Sequence, residues 1–154
     1  MRKVVLVGSL VMAAACSSKP KPVGTASPGA AAVAPAAVTT AFLQAVADSN
    51  LAQMGELWGT AKGPAAVTGE PTNWLQRLTV IHAYLKGGSA RVLGENPGAA
   101  TGDRVQLMVE LDRGRNCKRS VPFTLVRTRA GGWVVNAIDL NAAGVPGRPC
   151  GAAR

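Results

Sequence analysis

Arg104-Val-Gln-Leu-Met-Val-Glu-Leu-Asp112 decides the fold: Val105, Leu107, Val109 and Leu111 alternate with mostly polar residues. Successive side chains of a strand point to opposite faces, so a period of two describes a strand with one buried and one wetter face in an antiparallel sheet. Arg113-Gly114-Arg115-Asn116 then turns the chain, and residues 118–129 make the next strand, with Val121, Phe123 and Leu125 on one face. Pro122 cannot donate to a ladder, which predicts an edge position or a bulge there. Ala130-Gly131-Gly132 predicts a tight hairpin turn, and residues 133–140 a closing strand. In the other direction, Glu95-Asn96-Pro97-Gly98 reads as a loop and residues 90–94 as a short first strand.

Before Gly87-Gly88 the period changes from 2 to 3.6. Trp74, Leu75, Leu78, Ile81, His82 and Leu85 recur at helical spacing, Pro71 suits the first turn, and the two glycines stop the helix. Residues 59–70, rich in Gly, Ala and Pro, read as a loop. Order is expected to begin near Ala37, with Phe42, Ala45 and Val46 on one helical face. Asp48-Ser49-Asn50 interrupts that stripe, and Leu51, Met54, Leu57 and Trp58 resume it. Asn50 followed by Gln53 reads as a capping box, so the second piece restarts as its own helix or bends. Helical segments followed by a run of strands predict an α+β fold, helices on one face of an antiparallel sheet of about four strands.

Two stretches carry a resemblance. Ala41-Phe42-Leu43 to Trp58, with its Asp48-Ser49-Asn50-Leu51 break, and Gly132-Trp133-Val134-Val135-Asn136-Ala137-Ile138 together resemble the NTF2-like (SnoaL-like, cystatin-like) superfamily, in particular its small lipoprotein members. The resemblance implies a cone of helices and sheet whose open end is often a ligand pocket. Some members of that superfamily are isomerases, dehydratases or epoxide hydrolases, and many are non-catalytic.

At the start of the chain, Arg2 and Lys3 precede an apolar run over residues 4–15 that ends in Ala13-Ala14-Ala15 and Cys16. That is the pattern of a signal peptide, residues 1–15. The run is too short to span about 30 Å of hydrocarbon, which needs roughly 20 apolar residues. It resembles the lipobox of bacterial lipoprotein precursors, in which the cysteine is acylated and becomes the new amino terminus. The family usually has Leu three residues before the cysteine, where this chain has Ala13. The three alanines also fit an ordinary A-x-A cleavage site, with Cys16 then an incidental first residue. The lipoprotein reading makes residues 16–36, rich in Ala, Pro and Ser, a flexible lipidated tether, and residues 37–154 a single domain. It places the protein in a bacterial envelope, membrane-bound through Cys16. Ser17 is not the Asp of an inner-membrane retention signal, which favours an outer membrane where two membranes are present.

With Cys16 acylated, Cys117 and Cys150 are left as an even pair in an oxidising compartment, and a disulfide is expected. A redox or metal role would want a CxxC spacing or neighbouring ligands, and the sequence supplies neither. Removing Arg2 and Lys3 with the leader lowers the formal charge from +9 to +7. Arg113, Arg115, Lys118, Arg119, Arg127 and Arg129 concentrate that charge on the third strand and its turns. Few aromatics interleave them, so anionic lipid or wall polymer suits them better than nucleic acid.

Catalytic signals are sparse. His82 is the single histidine and reads as a boundary residue of a helix or, less readily, as a pocket wall. Glu110 and Asp139 are the strand carboxylates that could point inward, where burial would raise a pKa toward the range useful for proton transfer, or could face solvent. Tyr84 reads as a helix-surface or core-edge ring. Trp58, Trp74 and Trp133 fill a core or stack on a ligand. Neither a nucleophile elbow, a phosphate loop nor a dinucleotide fingerprint occurs, and no residue set calls for a cofactor or metal. The expected function is a non-catalytic domain that binds a small hydrophobic ligand or an envelope protein. The alternatives are a small-pocket isomerase or hydrolase and an accessory subunit of an envelope assembly.

Overall fold

Four antiparallel strands lie side by side in chain order: β3 (Ser89–Glu95), β4 (Arg104–Asp112), β5 (Lys118–Arg127) and β6 (Trp133–Ile138). The computed structural model describes residues 33–114 and 116–146, all within the unit Ala32–Arg154. Ahead of the sheet come α1 (Pro35–Ala47), α2 (Leu51–Leu57), a small ribbon of β1 (Gly59–Thr60) and β2 (Gly63–Pro64), α3 (Ala65–Thr68) and α4 (Trp74–Leu85). A single turn, α5 (Leu140–Ala143), follows β6. The fold is α+β, as the change of period implies. Among the described residues no helix is long and apolar enough to cross a membrane.

The register aligns Val105, Leu107 and Val109 of β4 with Leu125, Phe123 and Val121 of β5. All six are buried, and the residues between them, Gln106, Met108, Pro122 and Thr124, are half-exposed. Phe42 of α1 meets Phe123 edge-on, the ring centroids 6.4 Å apart at 73°. Val38, Phe42 and Val46 of α1, Met54 of α2 and Leu78, Ile81 and Leu85 of α4 share one core with these strand residues.

α1 opens at Pro35, two residues before the expected start, because proline suits the first helical position where its missing N–H costs nothing. The break after it is the expected one. Ser49 takes φ +55°, and the Asn50 side chain accepts from Gln53 N at 3.0 Å to begin α2. Other expectations need correction. The loop over residues 59–70 holds the β1–β2 ribbon and α3, elements too short to show a period. α4 starts at Trp74 rather than near Pro71, which lies in the preceding turn and accepts from Trp74 N. β5 ends at Arg127, since Arg129 N turns aside to Ala61 O. β6 ends at Ile138 because Asp139 caps α5, accepting from Asn141 N and Ala142 N.

Pro122 sits on an inner strand, opposite Met108. It is tolerated because the β5–β6 pairing stops there. Its carbonyl accepts from Asp139 N, the last bond of that side; no bulge falls at Pro122, and the register shift lies on β6, where Asn136 is passed over between the partners of Thr124 and Leu125. Gly88 has φ +107°, and a Cβ there would lie 2.2 Å from Asp112 O, so β3 can lie this close to the end of β4 only with glycine at that position.

Truncating a fully buried inner-face residue should cost about 2–5 kcal/mol. Leu107→Ala, measured by urea denaturation, is therefore expected to lose at least twice the stability that Met108→Ala loses on the half-exposed face. The reverse order would mean that the two faces had been misassigned.

Candidate functional site

The inner face of the sheet is occupied by its own side chains, and two hollows lie at its edges. One, of about 450 Å³, runs between α4 and β6. Trp58, Val80, Ile81, Ile138 and Leu140 supply its apolar wall, and Asn73, Gln76, Arg77 and Asn136 its polar rim. A second hollow, of about 460 Å³, lies between α1 and the edge strand β3. It is lined by Thr40, Leu43, Gln44, Val46 and Ala47 of α1 and by the chain from Leu85 to Val92, with Lys86 and Arg91 among them and no aromatic ring. The α4–β6 groove is the better ligand site, because it combines an aromatic and branched wall with a few convergent polar groups.

Its wall is built by the way β6 is closed at its free edge. Trp58 bridges in parallel to Val135, and Asn136 Nδ2 donates to Gly59 O at 2.8 Å, which pins the β1 ribbon to β6. Trp58 is 5% exposed. Among the described residues its Nε1 is the buried side-chain donor without a hydrogen-bond partner. Leaving such a group unsatisfied costs about 1–3 kcal/mol, and groups of this kind mark sites where packing is not the whole explanation. On the opposite wall Arg77 is exposed, and its Nε donates to Asn73 Oδ1 at 3.0 Å, one turn back along α4.

The residues singled out in the sequence do not converge. His82 lies outside both hollows and pairs with Ser49, Nε2 to Oγ 3.1 Å, at the α1–α2 break. Glu110 faces away from the core, between Arg91 and Lys118. Its carboxyl is held below the ordinary glutamate range, chiefly by the hydrogen bond from Arg91 Nε at 2.9 Å; partial desolvation opposes this, and the charges of Arg91 and Lys118 add to it. That reverses the rise expected for an inward carboxylate: the period of two puts Glu110 on the face opposite Leu111. Asp139 caps α5 and is exposed. Tyr84 is half-buried against the core, and its carbonyl accepts from Arg113 Nη2. Trp74 is half-buried over Gly55, where a Cβ would lie 2.5 Å from the indole. Trp133 is half-buried and lies under the Arg127 guanidinium at 6.0 Å.

The cations of the third strand are largely occupied. Arg113 also donates to Ala143 O at 3.0 Å, tying α4, α5 and the β4–β5 turn together. Lys118 reaches Glu110 and Asp112, and Arg119 lies beside Gly144. Arg129 is exposed next to the β5–β6 turn, and Arg115 lies outside the described residues. Cys117 is buried and disulfide-bonded. Cys16 and Cys150, the other two cysteines of the chain, lie outside the described residues.

Arg77, Asn73, Gln76 and Asn136 were not legible as a group. One signal existed: Asn136 interrupts the apolar run Trp133-Val134-Val135 before Ala137-Ile138 resumes it. No family model, curated protein or solved structure matches the chain.

A native carboxyl held below its unfolded value adds stability that is present above the unfolded pKa and lost as pH falls through the native one. The advantage of the parent over Glu110→Gln should therefore be full at neutral pH, shrink through the ordinary carboxylate range and vanish in stronger acid. Denaturation midpoints of the two proteins across that range check this; a pH-independent difference would contradict it.

Proposed function

We propose that the chain is a lipid-anchored protein of a bacterial envelope whose α+β domain, of the NTF2-like kind, binds a ligand or a protein partner without catalysing a reaction. In this reading residues 1–15 are removed, Cys16 carries the acyl chains, and the residues up to 36 hold the domain off the membrane. More than one acyl chain at about 0.8 kcal/mol per buried methylene gives stable anchoring without a span.

The observation that carries the binding reading is where polarity sits. The side of the sheet that faces the helices is filled by Leu107, Val109, Val121, Phe123 and Leu125, each 0% exposed. Of the two hollows, the one at the β6 edge sets Asn73, Gln76, Arg77 and Asn136 against an aromatic and branched wall, while the one beside β3 carries Lys86 and Arg91 with no aromatic ring. Glu110 and Asp139, the carboxylates available for acid-base work on the strands, are engaged separately by Arg91 and by the start of α5. A site of neutral amides and one guanidinium suits recognition better than proton transfer.

Pairing of Cys117 with Cys150 belongs to the same reading. It is supported by the path of the chain after β6, which carries Ala143 and Gly144 back beside Arg113 and Arg119, on either side of Cys117. Closing that loop should stabilise the domain by about 3–4 kcal/mol in the chain-entropy description.

Peptide mapping of native protein without reduction should find Cys117 linked to Cys150 and Cys16 acylated at a new amino terminus. A Cys16–Cys117 link, or a retained leader, would remove both the pairing and the anchor. Binding is tested by thermal shift with hydrophobic and anionic small molecules, since a ligand of the folded state raises the midpoint with concentration. A rise in the parent that Val80→Trp abolishes, by filling the α4–β6 groove, supports the small-molecule form of the proposal; no rise with any class would rule that form out.

A further inference from the structure

We propose that the α4–β6 groove takes an aliphatic monocarboxylate, with Arg77 holding the carboxylate and Val80, Ile81, Ile138 and Leu140 covering the chain; this rests on the reading that the groove binds a ligand. The first support is the state of Arg77. Its Nε is occupied by Asn73 Oδ1, which orients the guanidinium, and among the described residues no acceptor meets its Nη1 or Nη2. Lys62 is engaged by Glu70, Arg91 by Glu110, Arg113 by two carbonyls and Arg127 by the face of Trp133; Lys86, Arg104, Arg119 and Arg129 also lack a side-chain acceptor among the described residues, and Arg77 differs from them in lining the α4–β6 groove. A planar fork with its Nε already fixed presents its two terminal nitrogens end-on, and that edge matches the two oxygens of a carboxylate.

The second support is charge balance. Arg77 is the sole charged residue among those lining the groove, and the other polar members are the amides Asn73, Gln76 and Asn136. One positive charge beside neutral amides complements a monoanion, whereas a phosphate dianion or a polyanionic polymer would want a second cation. The third is the wall. Val80 is 45% exposed on α4 and faces this hollow, an apolar surface left open that an alkyl chain would cover. The hollow's volume of about 450 Å³ lies within the range of small-molecule sites. Each methylene added to the ligand should tighten binding about fourfold until the groove is full.

The test is calorimetric titration of the full chain with octanoate and with 1-octanol, on the parent and on Arg77→Gln, Arg77→Lys and Val80→Trp. The parent should bind octanoate at least tenfold more tightly than octanol. Arg77→Gln should lose that preference and leave octanol unchanged, and Arg77→Lys, which keeps the charge without the fork, should fall between. Octanol binding that persists in Arg77→Gln shows that this protein is folded and its groove intact. Equal affinity of the parent and Arg77→Gln for octanoate, with Val80→Trp still blocking both ligands, would overturn the carboxylate assignment alone. Failure of either ligand to bind, or binding indifferent to Val80→Trp, would overturn the groove as well.

Discussion

The alternating inner face of β4 and β5, packed on Phe42 and the other core residues of the helices, sets the terms for everything else in the domain. Its period is two, so the register admits no compromise: a slip of one residue would bring Gln106 and Glu110 against Phe42 and expel Leu107 and Val109. Burying a carboxylate without a partner costs far more than any turn or cap could restore. With the register set, Glu110 must emerge on the outer face opposite Ser120 and Arg91, within reach of Lys118. The ion-pair cluster is therefore a consequence of the packing on the other side of the strand.

How much of this could be read from the chain alone follows from the range of the interactions. The strand 104–112, the stop at Gly87-Gly88 and the cap at Asn50 were legible, because each rests on residues within one turn or one pleat of each other. The β1–β2 ribbon was not, because strands of two residues have no period and are held by what they lean on, here β6 through Trp58 and Asn136. Pro122 misled for a related reason. Its exclusion from inner strands assumes a continuous ladder on both sides, and β6 ends level with it, which no local feature announces.

The candidate groove was illegible for the same physical reason. Arg77 belongs to the exposed side of a helix and Asn136 to the closing strand; nothing in either pattern brings them together until α4 and β6 lie side by side. The Trp58 ring was visible as a bulky apolar side chain, but its lack of a partner for Nε1 depends on every neighbour at once. Conversely, His82, Asp139 and Glu110 drew attention because their chemistry is versatile. Each proves to be engaged by a nearby group: the Ser49 hydroxyl, the first N–H groups of α5, and two cations.

The two edges of the sheet explain why a site could arise on one side rather than the other. An exposed edge strand offers unpaired backbone groups and invites a further strand, and proteins counter this with bulges, charges or a covering segment. β3 uses the first two. Its pairing with β4 shifts between Val92 and Gly94, and Arg91 and Glu95 flank that shift on a mostly exposed strand, so the neighbouring hollow has a twisted, charged border. β6 uses the third. Trp58, Gly59 and Asn136 close its free edge, and α4 stands beside the strand with a gap between them. The bridge and the hydrogen bond that hold this wall are made within the chain itself. A preformed wall lowers the ordering cost of binding, and the same covering that protects the sheet edge therefore makes the α4–β6 groove the place where recognition is least expensive.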